Sequence, residues 1–198
     1  RIGHPNAKWE TNTSTDIGFE ASFLKNTIGI KFDWYNKKTT DLLYAPELPG
    51  TAGAATAPYI NIAAMSNKGV DIELTYRNKF GDVGFDGSLL LTTYKNNIDK
   101  IAEGVTFFDA YNQTNTANRI NGYPNRDAVG HPMSAFFGYK VQGIFQSASE
   151  VSEAAVQDHA AAGTFRFADV NNDNKIDAED RTFIGDPNPK LTYGLNLT

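Results

Sequence analysis

The densest set of chemically useful side chains lies in residues 169–180, which read Asp-Val-Asn-Asn-Asp-Asn-Lys-Ile-Asp-Ala-Glu-Asp. Oxygen-bearing side chains fall at loop positions 1, 3, 5, 9 and 12, namely Asp169, Asn171, Asp173, Asp177 and Asp180. Lys175 occupies position 7, where a backbone carbonyl supplies a further oxygen. Calcium takes about six to eight hard oxygens, and a loop with this spacing wraps them around one point. Apolar Ile176 at position 8 can anchor the loop to its support. Asn174 stands where such loops carry glycine, and asparagine tolerates the left-handed conformation required there better than most residues. Asp180 replaces the longer bidentate glutamate, so the expected affinity is modest, roughly 10⁻⁵ to 10⁻³ M. The ion's role would be structural: it would pin the base of a long loop. The competing reading is a metal-free Asx-turn, since Asp and Asn commonly bond their own backbone in turns.

Other chemistry has less behind it. His4, His131 and His159 are far apart and share no metal-ligand spacing. Glu179 and Asp180 are adjacent, whereas glycoside hydrolysis needs two carboxylates at a set distance across a cleft. Gly50 to Gly53 lacks the Lys-Ser/Thr that completes a phosphate loop. Phe107, Phe108, Tyr111 and Tyr123 could stack on sugar rings or pack the loop against itself. The chain has no cysteine, which removes disulfides, thiol catalysis and Cys-ligated zinc. Its net charge is -5, and its 18 Lys and Arg are scattered, so no footprint for nucleic acid exists. No catalytic residue is assigned, and the sequence names no substrate-binding residue.

The elements that position the acidic run are strands. Ile17, Phe19, Ala21 and Phe23 alternate with Gly18, Glu20 and Ser22. Ile28, Ile30, Phe32 and Trp34 alternate with Gly29, Lys31 and Asp33. The same period recurs at Val70, Ile72, Leu74 and Tyr76, then at Val83, Phe85, Leu89 and Leu91, and finally at Leu191, Tyr193, Leu195 and Leu197. Period two over such runs indicates strands with one apolar and one polar side. Five strands are expected near 14–24, 28–36, 67–78, 83–96 and 190–198, with long connections at 37–66 and 97–189. Ser147 and Glu150 form a capping-box pair that predicts a short Ala-rich helix over 149–162, ending at Gly163.

Short links join the first to the second strand and the third to the fourth, so both long connections leave the opposite end. Outer-membrane barrels show this asymmetry, with short periplasmic turns and long extracellular loops. A soluble β-sandwich alternates equally well. Loop parity, the aromatic strand ends (Trp34, Tyr35, Tyr76, Tyr94) and charges on the second face favour the barrel. The predicted fold is therefore all-β: an antiparallel up-and-down meander forming part of a transmembrane β-barrel, with long extracellular loops containing a short helix. A chain that begins at Arg1 and stops inside a strand-like run reads as a segment of something longer.

Four stretches together resemble the SusC/RagA family of TonB-linked outer-membrane proteins. They are Asn6-Ala7-Lys8-Trp9-Glu10-Thr11 with Asp16-Ile17-Gly18 and Asp33-Trp34-Tyr35-Asn36; Asn67-Lys68-Gly69-Val70-Asp71; Gly138-Tyr139-Lys140-Val141-Gln142-Gly143-Ile144-Phe145-Gln146; and Phe167 through Gly185-Asp186-Pro187 to Gly194. The resemblance implies a nutrient importer in the outer membrane of a Gram-negative bacterium, with a plug and a TonB-interacting segment that these residues do not include. It also implies a SusD-like surface lipoprotein as lid, oligosaccharide or peptide cargo, and a lipid bilayer around the barrel. The alternative is a soluble calcium-binding β interaction module similar to a dockerin, although only one Asp/Asn loop is found where dockerins use two. A surface hydrolase has no motif behind it.

Overall fold

The computed structural model describes residues 7–44, 59–102, 105–109 and 124–198. The chain divides into two compact units, Arg1–Phe107 with Ala128–Met133 and Asn188–Thr198, and Phe108–Asp127 with Ser134–Pro187. In chain order the strands are β1 (Thr11–Phe23), β2 (Ile28–Tyr44), β3 (Ile60–Phe80), β4 (Val83–Lys100), β5 (Phe107–Asp109), β6 (Asn125–Ala128), β7 (Ala135–Tyr139), β8 (Val141–Ile144), β9 (Phe165–Phe167), β10 (Arg181–Gly185) and β11 (Thr192–Leu197). One helix, α1, spans Ala148–Glu153.

The first unit is an antiparallel sheet in the order β1-β2-β3-β4-β11. Neighbours in sequence are neighbours in space through β4, and β11 then pairs with β4. The turn from β1 to β2 places Leu24, Lys25 and Asn26 in succession at positive φ (51, 54 and 68°). The Thr27 N–H closes that turn on the Leu24 carbonyl at 3.2 Å. Between β3 and β4 only Gly81 and Asp82 intervene, and Gly81 supplies the positive φ of 65° that a two-residue hairpin loop needs.

β2 and β3 run well past the apolar alternation that marks them in the sequence. They remain paired through Thr39↔Met65, Leu42↔Ala63 and Tyr44↔Ile60, with bulges near Thr39 and Leu42 and a positive φ of 58° at Asp41. Much of the expected long connection 37–66 is therefore strand. The ladder needs only main-chain N–H and C=O groups, so it continues through the polar run Lys37-Lys38-Thr39-Thr40 and the consecutive apolar Ala63-Ala64-Met65, where the alternation has stopped. The rest of that connection, with Gly50 to Gly53, lies outside the described residues, as do Tyr111, Tyr123 and His4.

The first unit buries its few core side chains at the end of the long connections. Ile98, Ile101 and Ala128 are buried there. The edge of β4 beyond Thr92 is taken up by the turn at 128–131: Ile98 N–H donates to the His131 carbonyl and Gly130 N–H to the Ile98 carbonyl, each at 2.9 Å. Buried Asn96 completes the joint, donating to Asn67 Oδ1 (2.8 Å) and accepting from Met133 N–H (2.6 Å).

The second unit holds short strands, in the sheet order β10-β7-β6-β5 and the pair β8-β9. Phe145, Ala135, Asp127, Ala168 and Asp180 are its buried side chains. The helix is shorter than its expected span of 149–162. Ser147 caps it as expected, accepting from Glu150 N–H at 3.2 Å, but Glu150 reaches past the cap to Gln146 N–H at 2.7 Å. After Glu153 the chain is extended, because Val156 is drawn into a parallel bridge with Lys175 and Gln157 bonds the β9 backbone at Phe165 and Phe167. An isolated Ala-rich helix without an apolar stripe has too little packing energy to resist those competing bonds. Gly163, at φ 91°, turns the chain back so that its N–H meets the Phe145 carbonyl.

Candidate functional site

Directly paired residues of a sheet project to the same side, so register decides what each face presents. Ile17 pairs with Trp34, Phe19 with Phe32, and Ala21 with Ile30. Phe32 pairs onward with Ile72 and Ile30 with Leu74. Ile72 meets Leu91 and Leu74 meets Leu89; these in turn meet Tyr193 and Leu195. Ile17, Phe19, Ile30, Phe32, Val70, Ile72, Leu89 and Leu195 thus share one continuous apolar face.

Within its own unit that face is bare. Ile17 is 63% exposed, Phe19 59% and Leu195 63%. A sandwich would bury these side chains under a second sheet; a barrel wall turns them to lipid. Along β3 the band runs from Val70 to Phe80, interrupted by Asn78, whose amide donates to Tyr76 Oη at 3.0 Å. Ten strand steps at about 3.3 Å, tilted by about 40°, give a height of about 25 Å, which matches the apolar band of an outer-membrane barrel.

The opposite face is polar. Lys31 lies between Glu20 (3.8 Å) and Glu73 (3.7 Å), and Arg77 bonds Asp86 at 2.7 Å. Asp33 stands directly across from Asp71. Glycines here give room to neighbours: a Cβ on Gly69 would run into the Tyr35 ring, and one on Gly18 into the Asp33 carboxylate. Of the four aromatic strand ends, Trp34 and Tyr76 belong to the apolar face. Tyr35 and Tyr94 flank Gly69 on the polar one, and the Tyr94 hydroxyl donates to Asn188 Oδ1 at 2.6 Å.

In the second unit, residues 169–180 form a self-bonded loop. Asp169 Oδ1 accepts from Asn172 N–H (2.6 Å) and Asp173 N–H (3.2 Å), and its Oδ2 accepts from Asn174 N–H (2.8 Å). Asn171 Oδ1 accepts from Asp173 N–H, while its amide donates to Asp173 Oδ2. Asn174 adopts the left-handed conformation, φ 64°, that its position demands, and Asn172 does so as well. Val156 supports the loop, its N–H meeting the Asn174 carbonyl (2.9 Å) and its carbonyl the Ile176 N–H (2.8 Å). Ile176 is therefore anchored through its backbone.

The loop leaves through a 3-10 turn, Ala178–Asp180, with a capping box between Asp177 and Asp180. Asp180 is fully buried and accepts from Val170 N–H (2.7 Å) and Asp177 N–H (2.8 Å). Its short side chain closes the loop on itself. The Glu179 N–H, helped by the Lys175 ammonium 2.9 Å away, holds the Asp177 carboxyl below its usual range, and the same Asp177 contact raises Lys175. Gln146 N–H, with Arg166 at 3.1 Å, likewise lowers Glu150. No three His, Asp or Glu side chains converge in metal-binding fashion among the described residues. His131 sits in the turn against β4, and His159 is exposed at φ 60°.

A meander with one bare apolar face about a bilayer tall and one polar face is the wall of a membrane β-barrel. Residues 1–193 match the family described as TonB dependent receptor-like, beta-barrel, and the chain belongs to that family of outer-membrane proteins. It is 30% identical over its whole length to TonB-dependent receptor P26 of Formosa agariphila, covering 20% of that protein. Identity to TonB-dependent receptor SusC of Bacteroides thetaiotaomicron is 23%, over 96% of this chain and 18% of that one. A solved structure of the RagAB peptide transporter superposes with a TM-score of 0.69 at 21% identity, over 99% of this chain and 20% of that chain. The chain thus spans about a fifth of the length of the relatives it matches. A soluble calcium-binding module finds no support: the family match runs through the β-sheet and the acidic loop alike, and the sheet's apolar face has no cover in its unit.

Proposed function

We propose that these residues serve an outer-membrane importer that takes up oligosaccharide or peptide, draws energy through TonB, and works with a SusD-like surface lipoprotein. The observation that carries this reading is the two-faced sheet, which can stand only between lipid and a polar interior. The relatives named as TonB-dependent receptors and the neighbour named as a peptide transporter support it. No residue of this chain is assigned to TonB or to cargo. The polar face, with Asp33, Asp71 and the Glu20–Lys31–Glu73 group, is the side that lines the interior.

Uptake of labelled oligosaccharides and labelled peptides into cells bearing the intact receptor is the test, with and without TonB. Uptake of one cargo class should require both the receptor and TonB. Equal uptake of both classes without the receptor, or without TonB, overturns the reading.

We also propose that the 169–180 loop takes calcium with modest affinity in a structural role. By spacing, the ligands would be Asp169, Asn171, Asp173 and the Lys175 carbonyl, with Asp177 at the loop exit. Support comes from the ligand spacing and from the left-handed Asn174. Asp180 would close the loop through its two N–H bonds rather than reach the ion.

A further inference from the structure

The apolar face ends abruptly toward the long connections. Trp34, Val70 and Thr93 form its last row, since Trp34 pairs with Val70 and Val70 with Thr93. One row further along the same face stand Asn36, Lys68 and Lys95, and beyond these Lys38, Ser66 and Asn97. Lys68 and Lys95 are direct cross-strand partners. Like charges in that position destabilise a strand pair. All three lysines are exposed, and none makes an ion pair among the described residues. The carboxylate beside them, Asp99, is held by Ser66 Oγ (2.9 Å) and the Asn97 amide (2.7 Å).

We propose that Lys38, Lys68 and Lys95 form a binding site for the phosphate groups of a lipid in the leaflet at the long-connection end. The argument is one of place and charge. Because the apolar face meets hydrocarbon, the first polar row above it lies at headgroup depth. Long lysine side chains there lay their stems on the apolar band and lift their ammonium groups to the interface, beside an interfacial tryptophan. An opposed lysine pair with no carboxylate in ion-pair contact lowers its repulsion by sharing an anion. A neutral headgroup offers it none. The polar face has a different pattern: there Lys31 and Arg77 already have carboxylate partners.

Native mass spectrometry of the intact receptor in neutral detergent tests this, with phosphorylated lipid A as probe and its dephosphorylated form as control. The wild type should retain the phosphorylated lipid in preference to the control. Each of K38Q, K68Q and K95Q should weaken retention roughly five-fold and the triple variant on the order of a hundred-fold, with weaker binding at high salt. The variant K25Q/K79Q, altered at the short-turn end, should bind as wild type does. K95Q, freed of its opposed charge, should be at least as heat-stable as wild type in lipid-free detergent, which separates loss of binding from loss of fold. Equal retention by wild type and the triple variant, equal retention of both lipid forms, or full displacement by millimolar inorganic phosphate overturns the proposal.

Discussion

In the first unit β3 and β4 stay in register from Met65 to Phe80, while the second unit has no described strand longer than the five residues of β7 and β10. The long ladder fixes every side chain to one face or the other, and it carries large apolar groups in the open. The short strands of the second unit are joined by side chains acting on the main chain. Asp169 and Asp180 gather five N–H groups between them, Asp127 takes Ser134 N–H at 2.5 Å, and Glu150 takes Gln146 N–H. A substitution in the wall should therefore act through its face and depth. One in the second unit should act through the particular bond it removes.

The largest contrast is expected in the wall. Ile72→Arg, on the lipid face in mid-band, should cost about 2–4 kcal/mol, against little for Ser88→Arg on the polar face. The measurement is folding of the intact receptor into bilayers, followed by heat-modifiable migration. Equal effects at the two sites would break the assignment of faces.

A smaller but local loss is expected at Asp180. Asp180→Ala leaves the Val170 and Asp177 N–H groups without their buried acceptor, at a cost of about 1–3 kcal/mol. Hydrogen exchange should quicken at those two amides and at the 3-10 turn, and remain unchanged across β1–β4. Faster exchange throughout the sheet would show that the two units are not separately held.

Calcium should have the smallest effect. At a millimolar concentration, an ion bound in the range given above stabilises the loop by at most about 3 kcal/mol, and by a few tenths at the weak end. Calorimetric titration of chelator-stripped receptor should show saturable binding that Asp169→Ala and Asp173→Ala both weaken. No binding at millimolar calcium, or equal binding in all three proteins, removes the ion and leaves the self-bonded Asx loop.

The wall was legible because alternation is a local property. Ile17, Phe19, Ile30, Phe32, Val70, Ile72, Leu89 and Leu195 were placed on one face by counting twos, and the register puts them there. The extent of β2 and β3 was not legible, since residues 37–40 are polar throughout, consecutive Ala63, Ala64 and Met65 break the period, and the strands are held there by pairing. The helix illustrates the opposite error. Its cap was visible at Ser147, but its end was set by Val156 and Gln157 bonding partners distant in the chain.

By itself, then, the sequence determined the strand period, the short link around Gly81, the helix cap and the left-handed Asn174, each a consequence of neighbouring residues and their allowed backbone angles. Tertiary structure alone decided that Tyr35 and Tyr94 flank Gly69, that Lys68 faces Lys95, and that Asp180 is buried between Val170 and Asp177. The first two depend on which strand lies beside which and in what register, and the third on how the 169–180 loop folds back on itself. A one-residue shift in pairing would leave every local preference satisfied and turn a strand's apolar face to the wrong side.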